Sequence, residues 1–172
     1  MIKLVEPCPH YFDSYIEAFH AYKKHKVASY AFSDATQINI FDKFDYYKNE
    51  DHLPPNRVGA HFCWLVDDEK HYFIGEITIR HRLNAALERY GGHIGYGVRF
   101  SEWNKGFGTL MLELALAEAK KLGLREILIT CDDQNIGSAR VMEKNGFTLG
   151  DKVENTFNQE TIITRRYRKT IE

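Results

Sequence analysis

The passage from His93 to Leu124 constrains this chain most, because an alternating strand runs there into a glycine-bearing turn and then into an amphipathic helix. Backbone N–H groups at the start of a helix have no partner within the helix and lie at the positive end of its dipole. Gly106 and Gly108 leave the turn without bulky side chains, so an anion can approach those N–H groups. We therefore expect a phosphate-bearing ligand at this turn.

Two common phosphate-binding motifs do not fit the glycine spacing. A dinucleotide site needs GxGxxG directly after the strand and an acidic residue about 20 positions later, whereas this turn has GxG only. A P-loop needs Lys and then Ser or Thr after its last glycine, but Gly108 is followed by Thr109 and Leu110. The glycines alone leave a plain structural turn as an open alternative.

Length and charge exclude several classes of protein. A chain of 172 residues predicts one domain with a real core. The formal net charge of −1 gives no long-range attraction to nucleic acid or to anionic lipid. The one basic run, from Arg165 to Lys169, alternates with apolar residues and indicates the solvated face of a last strand.

The cysteines and the N-terminus predict a cytoplasmic protein without a metal site. Cys8, Cys63 and Cys131 are odd in number and far apart, which disfavours both a disulfide framework and a metal knuckle. The first ten residues lack an apolar signal core, and no apolar run approaches the length of a membrane span.

The hydrophobic pattern predicts an α/β fold with a mixed sheet and helices on both faces. A ligand of such a sheet is expected at the carboxyl ends of the strands, where neighbouring strands diverge. The predicted elements are a strand at Ile2–Leu4, a helix at His10–Lys24, helix and loop at Ala28–Pro55, a hairpin at Gly59–His81, a strand at His93–Phe100, a helix at Gly106–Leu122, a buried strand at Arg125–Asp133, a helix at Asn135–Asn145 and a final hairpin at Phe147–Lys169.

The runs GHIGYGVRFSEWNKGFG and ILITCDDQNIGSARVMEKNGF, between Gly92 and Phe147, resemble the acetyl-CoA-binding half of the GNAT N-acetyltransferase superfamily. The segment HRLN…RYGGHIGYGVR is further similar to a bacterial branch of acetyltransferases whose substrate the sequence does not name. The resemblance implies a single GNAT domain over residues 1–172, with a mostly antiparallel twisted sheet and a splayed parallel strand pair that binds acetyl-CoA. It also favours a homodimer.

The resemblance assigns the cofactor site to the strand, the turn and the start of the following helices. Trp103 stands where the family usually has Gln or Arg, so the diphosphate would depend on the backbone of the turn, with the Lys105 amine or the Thr109 hydroxyl beside it. The cofactor-binding residues implied in this way are Val98, Arg99, Phe100, Trp103, Asn104, Lys105, Gly106, Phe107, Gly108, Thr109, Asn135 and Ser138.

Two glycines inside the strand, Gly95 and Gly97, indicate either a bend or the close approach of a ligand. In the family the pantetheine arm lies along this strand, which implies that the amides of Gly97 and Val98 lie near the thioester carbonyl. An N–H in that place stabilises the oxyanion of the tetrahedral intermediate.

Acyl transfer to an amine also needs a base. The resemblance aligns His93 with a Glu that often serves as that base, and imidazole is largely neutral at pH 7. The alternative interpretation is that His93 has a structural role. Glu76 and His81, on the adjacent strand, are then the other candidates for the base.

The departing thiolate must be protonated, and the sequence leaves its proton donor open. By the resemblance, Met142 stands at the position where many relatives have a Tyr that acts as the general acid. Either water or the Tyr96 hydroxyl would then protonate the thiolate. Cys131 lies in a buried apolar strand beside two acids, which argues against a covalent acetyl-cysteine route.

The sequence therefore predicts an N-acetyltransferase that moves the acetyl group of acetyl-CoA to a primary amine of a small molecule or peptide. The expected route is direct attack in a ternary complex, without a metal and with neither nucleic acid nor membrane as partner. Two alternatives remain: a catalytically weak acyl-CoA-binding sensor or interaction module of the same fold, and a nucleotide-binding protein that uses the same turn.

Overall fold

The computed structural model describes residues 1–27 and 32–172. Short 3-10 turns at Pro9–Tyr11, Glu50–His52 and Phe100–Glu102 connect the regular elements. In chain order these elements are β1 (Ile2–Val5), α1 (Phe12–Lys24), α2 (Ile40–Lys48), β2 (Ala60–Asp67), β3 (Tyr72–Arg80), α3 (Ala85–Arg89), β4 (Ile94–Val98), α4 (Phe107–Lys121), β5 (Glu126–Asp132), α5 (Ile136–Lys144), β6 (Thr148–Phe157) and β7 (Glu160–Thr170).

The strands form two antiparallel sheets, a four-stranded sheet in the order β1-β2-β3-β4 and a three-stranded sheet in the order β5-β7-β6. β4 and β5, which α4 connects, lie at the facing edges of the two sheets. One isolated bridge between Gly92 and Ile129 joins these edges, and the His93 N–H donates there to the Leu128 carbonyl at 2.7 Å. Beyond this bridge no described ladder connects β4 to β5, so the sheets separate and leave a gap beside β4.

Helices cover both faces of the first sheet, as the sequence predicted. One core cluster lies beneath α4 and α5 and contains Met111, Leu112 and Met142. The other is rich in aromatic side chains and lies beneath α1 and α2, with Tyr15 stacked on Trp64 at a ring separation of 4.9 Å. The mixed α/β fold with mostly antiparallel sheets is thus confirmed.

Two local features were not predicted from the sequence. The polar segment after β3 contains the short helix α3, which begins where the Asn84 side chain accepts a hydrogen bond from the Leu87 N–H at 2.9 Å. β5 pairs along its length with β7 in antiparallel register, so its apolar run does not arise from a parallel ladder. Instead, Ile127 and Ile129 are buried in the cluster beneath α4 and α5. Residues 28–31, which begin the predicted helix-and-loop segment, lie outside the described residues.

Candidate functional site

One edge of β4 is paired with β3 and the other faces the gap. The Arg80 N–H donates to the His93 carbonyl and the Arg99 N–H donates to the Ile74 carbonyl, both at 2.7 Å. These two bonds show which residues of β4 direct their backbone groups to β3. Because backbone direction alternates along a strand, the N–H of Gly97 points to β3 and the N–H of Val98 points into the gap. The geometry therefore offers the amide of Val98 to a ligand, and it does not offer the amide of Gly97.

The carbonyl group of Val98 is already occupied. The Trp103 indole Nε1 donates a hydrogen bond to this oxygen at 2.7 Å, and the Tyr22 hydroxyl donates a second one. Burial raises the pKa of Tyr22 to about 12, so this hydroxyl stays protonated. The sequence did not predict this contact, since no local pattern shows which backbone group a distant tyrosine meets.

The N-terminus of α4 presents a run of unpaired backbone amides. Gly106 precedes the helix in a left-handed conformation with φ of 85°, and no side chain caps the first turn. Among the described residues, no acceptor bonds to the amides from Asn104 to Thr109. A methyl group placed on Gly106 would meet no atom within 4 Å, so the turn is open to an anion.

Gly108 has a packing role in addition to its place in the turn. A methyl group on this residue would lie 3.1 Å from Val141 Cγ2 and 3.7 Å from Val98 Cγ2. The absence of a side chain therefore lets α4 approach both α5 and β4. The expectation that Gly108 also admits the anion stays a prediction.

The side chains of the turn add little positive charge. Lys105 lies 3.1 Å from the Glu102 carboxylate, which also accepts a hydrogen bond from the Tyr72 hydroxyl at 3.0 Å. Phe107 packs against the core cluster beneath α4. The Thr109 hydroxyl has no described hydrogen-bond partner, while the Thr109 carbonyl accepts from Asn145 at 3.1 Å.

Arg99 and Phe100 direct their side chains to α1. The Arg99 guanidinium donates to Ser14 Oγ at 2.9 Å and to Glu17 Oε2 at 2.9 Å. The Phe100 ring stacks on His25 at 3.9 Å. Both side chains are therefore directed away from the proposed cofactor, and only the backbone groups of these two residues are placed to contact it.

Two hydroxyl groups, of Tyr96 and Ser138, connect β4 to α5. Tyr96 Oη lies 2.8 Å from Ser138 Oγ, and the Ser138 N–H donates to the capping side chain of Asn135 at 3.0 Å. Burial raises the pKa of Tyr96 well above its ordinary value, so its hydroxyl remains a proton-bearing donor. Burial also raises the pKa of the nearby Cys131 thiol to about 11, which keeps this thiol protonated and unreactive.

His93 holds the two sheets together. Its Nδ1 accepts a hydrogen bond from the Leu128 N–H at 3.0 Å, and the residue is 9% exposed. Burial lowers the pKa of His93, and the positive charges of Arg80 and Arg168 lower it further. The neutral ring then carries its proton on Nε2, and the lone pair that a base needs is occupied. The base assignment remains a prediction, and this geometry favours a structural role.

The other residues considered for proton transfer are poorly placed for it. Glu76 is 1% exposed and accepts a hydrogen bond from Trp64 Nε1 at 2.9 Å, and burial raises the pKa of Glu76 to about 8. His81 Nε2 lies 2.7 Å from His61 Nδ1. Met142 is fully buried in the core and carries no proton to donate.

Neither a membrane span nor a metal cluster was found in the part of the chain that the structure describes. Every helix there is too short or too polar to cross a lipid bilayer. No group of three or more His, Cys, Asp or Glu side chains comes together in an arrangement suited to a metal ion.

Comparison with known proteins identifies the domain type. A family model described as an acetyltransferase (GNAT) domain matches residues 3–148. A search of curated proteins finds no match.

Solved structures share the fold at low sequence identity. The structure of the microcin C7 self-immunity acetyltransferase MccE, in complex with acetyl-CoA and AMP, has a TM-score of 0.73 at 16% identity, covering 99% of this chain and 92% of that one. An acetyltransferase from Salmonella typhimurium that modifies the N-terminal serine of ribosomal protein L7/L12 has a TM-score of 0.73 at 14% identity, covering 99% and 95%. A GNAT-family acetyltransferase from Bacillus anthracis has a TM-score of 0.69 at 16% identity, covering 98% and 94%.

Proposed function

Because the chain belongs to the GNAT acetyltransferase family, we propose that it moves the acetyl group of acetyl-CoA to a primary amine of a small molecule or peptide. The amine attacks the thioester directly in a ternary complex, without a covalent enzyme intermediate and without a metal. The observation that carries this proposal is the run of unpaired amides at the N-terminus of α4, directly beside the gap along β4.

Cofactor binding follows from the backbone. The amides from Asn104 to Thr109 hold the diphosphate at the positive end of the α4 dipole. The pantetheine arm then lies in the gap along the free edge of β4. There the Val98 amide donates to the thioester carbonyl, which gains negative charge when the amine attacks. The MccE structure, which has a similar fold, contains acetyl-CoA, and this supports acetyl-CoA as the cosubstrate.

Two proton transfers complete the reaction. The attacking amine must be neutral, whereas an ordinary primary amine, with a pKa near that of lysine at about 10.4, is almost wholly protonated at pH 7. Since the Nδ1 lone pair of His93 is occupied, the neutral fraction of the amine limits attack unless that hydrogen bond opens. After attack the nitrogen releases its extra proton to water. The Tyr96 hydroxyl, held by Ser138, donates a hydrogen bond to the departing sulfur, and water supplies the proton that completes the thiol.

A catalytically weak acyl-CoA-binding module is the second candidate. The observations that favour it are Trp103, which bonds to the Val98 carbonyl instead of reaching a phosphate, and the buried Met142. Both candidates require binding of acetyl-CoA, but only the enzyme releases free CoA in the presence of an amine.

The experiment that tests the proposal measures release of free thiol across a panel of small amines and peptides at saturating acetyl-CoA. Turnover with any amine supports the enzyme, and tight binding with no turnover supports the module. Thermal stabilisation by ATP or NAD but not by CoA would instead indicate a nucleotide-binding protein. The cytoplasmic location and the homodimer remain predictions.

A further inference from the structure

Arg80, at the end of β3, is a half-buried cation without a described carboxylate partner. Its Nη1 donates to the carbonyl oxygens of Gly91 at 3.1 Å and Gly92 at 2.9 Å, which uses both N–H groups of that nitrogen. No described residue bonds to its Nη2 or Nε. Burial alone lowers the pKa of this guanidinium, with no acidic group raising it. A cation removed from water without a counter-ion is costly, so its retention calls for an explanation.

The edge of the guanidinium that carries the unbonded Nη2 lies above Gly95 of β4. A methyl group placed on Gly95 would lie 3.7 Å from Arg80 Nη2 and 3.9 Å from Nη1, and it would meet no other atom within 4 Å. The surface over Gly95 is therefore open except for the guanidinium. The Nη2 and Nε groups form the planar fork that binds a carboxylate or a phosphate through two parallel hydrogen bonds.

This edge lies on the face from which an acceptor has to arrive. Tyr96 and Val98 direct their side chains to the core beneath α4 and α5, which closes that face of β4. Gly95 alternates with them and lies on the opposite face, next to Arg80. An amine that attacks a thioester held at Val98 therefore approaches across the backbone of Gly97 and Gly95.

We propose that Arg80 binds an anionic oxygen group of the acceptor over Gly95, so that the substrate is a small amine that also carries a carboxylate or a phosphate. This inference rests on the proposed acetyl transfer and specifies its acceptor. Gly95 and Val98 are three residues apart, a rise of about 10 Å along the strand, so the anion and the amine must be well separated. An α-amino acid is too short to reach both places, whereas an ω-amino acid or an aminoalkyl phosphate is long enough.

The test compares kcat/KM for 8-aminooctanoate and 6-aminohexyl phosphate, whose extended chains are long enough for this separation, with kcat/KM for octylamine, which lacks the anion. The charged-to-neutral ratio is measured on each preparation of protein, so a partly unfolded fraction cancels. We expect a ratio of about 10 or more in the unmodified protein, as charge-assisted bidentate bonds are strong. The larger of the two ratios identifies carboxylate or phosphate as the preferred group.

Two variant pairs separate recognition from folding. Arg80→Met brings the ratio to about 1, while Arg80→Lys keeps part of it because lysine retains the charge without the fork. Gly95→Asp places a carboxylate against the guanidinium and also brings the ratio to about 1, while the nearly isosteric Gly95→Asn leaves a ratio clearly above that of Gly95→Asp.

An unmodified protein without preference for the charged amines, or a ratio unchanged in Arg80→Met, would overturn the assignment of Arg80 while octylamine turnover still supports acetyl transfer. Equal ratios in the two Gly95 variants would also overturn it, because the effect would then be steric. Absence of turnover with every acceptor, despite binding of acetyl-CoA, would remove the proposed enzyme function and this inference with it.

Discussion

The indole Nε1 of Trp103 donates a 2.7 Å hydrogen bond to the backbone carbonyl of Val98, the last residue of β4. This bond fixes the turn that is proposed to bind phosphate to the end of the strand along which the pantetheine arm is proposed to lie. The Tyr22 hydroxyl bonds to the same oxygen, which connects α1 to both elements. A residue that departs from the family pattern thus contributes to the site by orienting its backbone, with no direct contact to the phosphate required.

Removal of the Trp103 indole N–H is expected to loosen this turn. In Trp103→Phe the aromatic contact with Phe100 can persist, and Tyr22 still bonds to the Val98 carbonyl. The unfolding free energy should fall by about 0.5–1.5 kcal/mol, the usual net value of one hydrogen bond, and the Kd for acetyl-CoA should rise several-fold. Urea unfolding and calorimetry measure the two quantities.

Tyr22→Phe is the matched control because it removes the other donor to the same oxygen. Each single variant leaves one donor, so the double variant should cost more than the sum of the two single losses. Strict additivity in urea unfolding would contradict a shared role at the Val98 carbonyl.

Tyr96→Phe tests the role of the Tyr96 hydroxyl in the reaction. The change keeps the ring in the core and removes the hydrogen bond to Ser138, so binding of acetyl-CoA should change little. If the hydroxyl assists the departing sulfur, kcat should fall by about 10-fold to 100-fold, at or below the usual range for general acid catalysis. Steady-state kinetics with varied acetyl-CoA separate kcat from KM. An unchanged kcat would assign protonation of the thiolate to water alone.

His93→Gln tests whether this histidine is a base or a structural connection. The amide oxygen of Gln can replace Nδ1 as the acceptor for the Leu128 N–H, so we expect kcat/KM at pH 7 to stay within about tenfold of the unmodified protein. In both proteins kcat/KM should rise with pH as the amine loses its proton. A loss of about 100-fold or more, together with loss of a rise in kcat/KM below the ordinary histidine pKa of about 6.5, would restore the base assignment.

The lowered pKa of His93 also sets the sign of a stability change. The unfolded chain takes up a proton near pH 6.5 that the folded residue resists, so the stability contributed by neutral His93 is present above that pH and is lost as the pH falls toward the folded pKa. His61 and His81 have lowered pKa values as well and act in the same direction. Urea unfolding at pH 7.5 and 5.5 should therefore show a smaller pH-dependent loss in His93→Gln than in the unmodified protein.

Glu76 should have the opposite pH dependence. Burial raises its pKa to about 8, so the folded state keeps a proton that the unfolded chain releases near pH 4.5. Stability contributed by the protonated form is present at low pH and is lost as the pH rises from 4.5 to 8. Glu76→Gln keeps an acceptor for Trp64 Nε1 without the titration, so its stability relative to the unmodified protein should increase with pH. A constant difference between pH 5 and pH 8.5 in urea unfolding would contradict the raised pKa.

Local patterns were sufficient to predict most elements of this fold. Alternation and helical periodicity located the hairpin of β2 and β3, and the glycine turn located the start of α4 to within one residue of Phe107. α3 was missed because it has only five residues and no buried face, so it leaves no hydrophobic periodicity. The pairing of β5 with β7 was missed because a short apolar run indicates a buried strand without showing which strand lies beside it or in which direction.

The site was predictable in its backbone and less so in its side chains. The run of amides at α4 follows from local sequence, because helix geometry itself leaves those groups unpaired. The partners of Tyr22, Arg80 and Arg99 are set by packing between distant segments, which no single-chain pattern encodes. His93 illustrates the difference. An imidazole is chemically suited to act as a base, but a hydrogen bond from the distant Leu128 N–H occupies the Nδ1 atom that would accept the proton.

The central claim is that the amides at the N-terminus of α4 bind the diphosphate of acetyl-CoA, and charge at Gly106 tests it most directly. Asn and Asp both tolerate the left-handed conformation at this position, and they differ almost only in charge. Gly123, at the other end of α4, has a similar φ of 84° and also has no atom within 4 Å of an added methyl group, so it provides a control for added negative charge.

The measurement is calorimetric titration of acetyl-CoA into the unmodified protein, Gly106→Asn, Gly106→Asp and Gly123→Asp. We predict that Gly106→Asp binds at least about tenfold more weakly than Gly106→Asn, as expected for a carboxylate close to bound phosphate, and that Gly123→Asp binds like the unmodified protein. Equal affinities for the two Gly106 variants, or no binding of acetyl-CoA to the unmodified protein at millimolar concentration, would contradict the account.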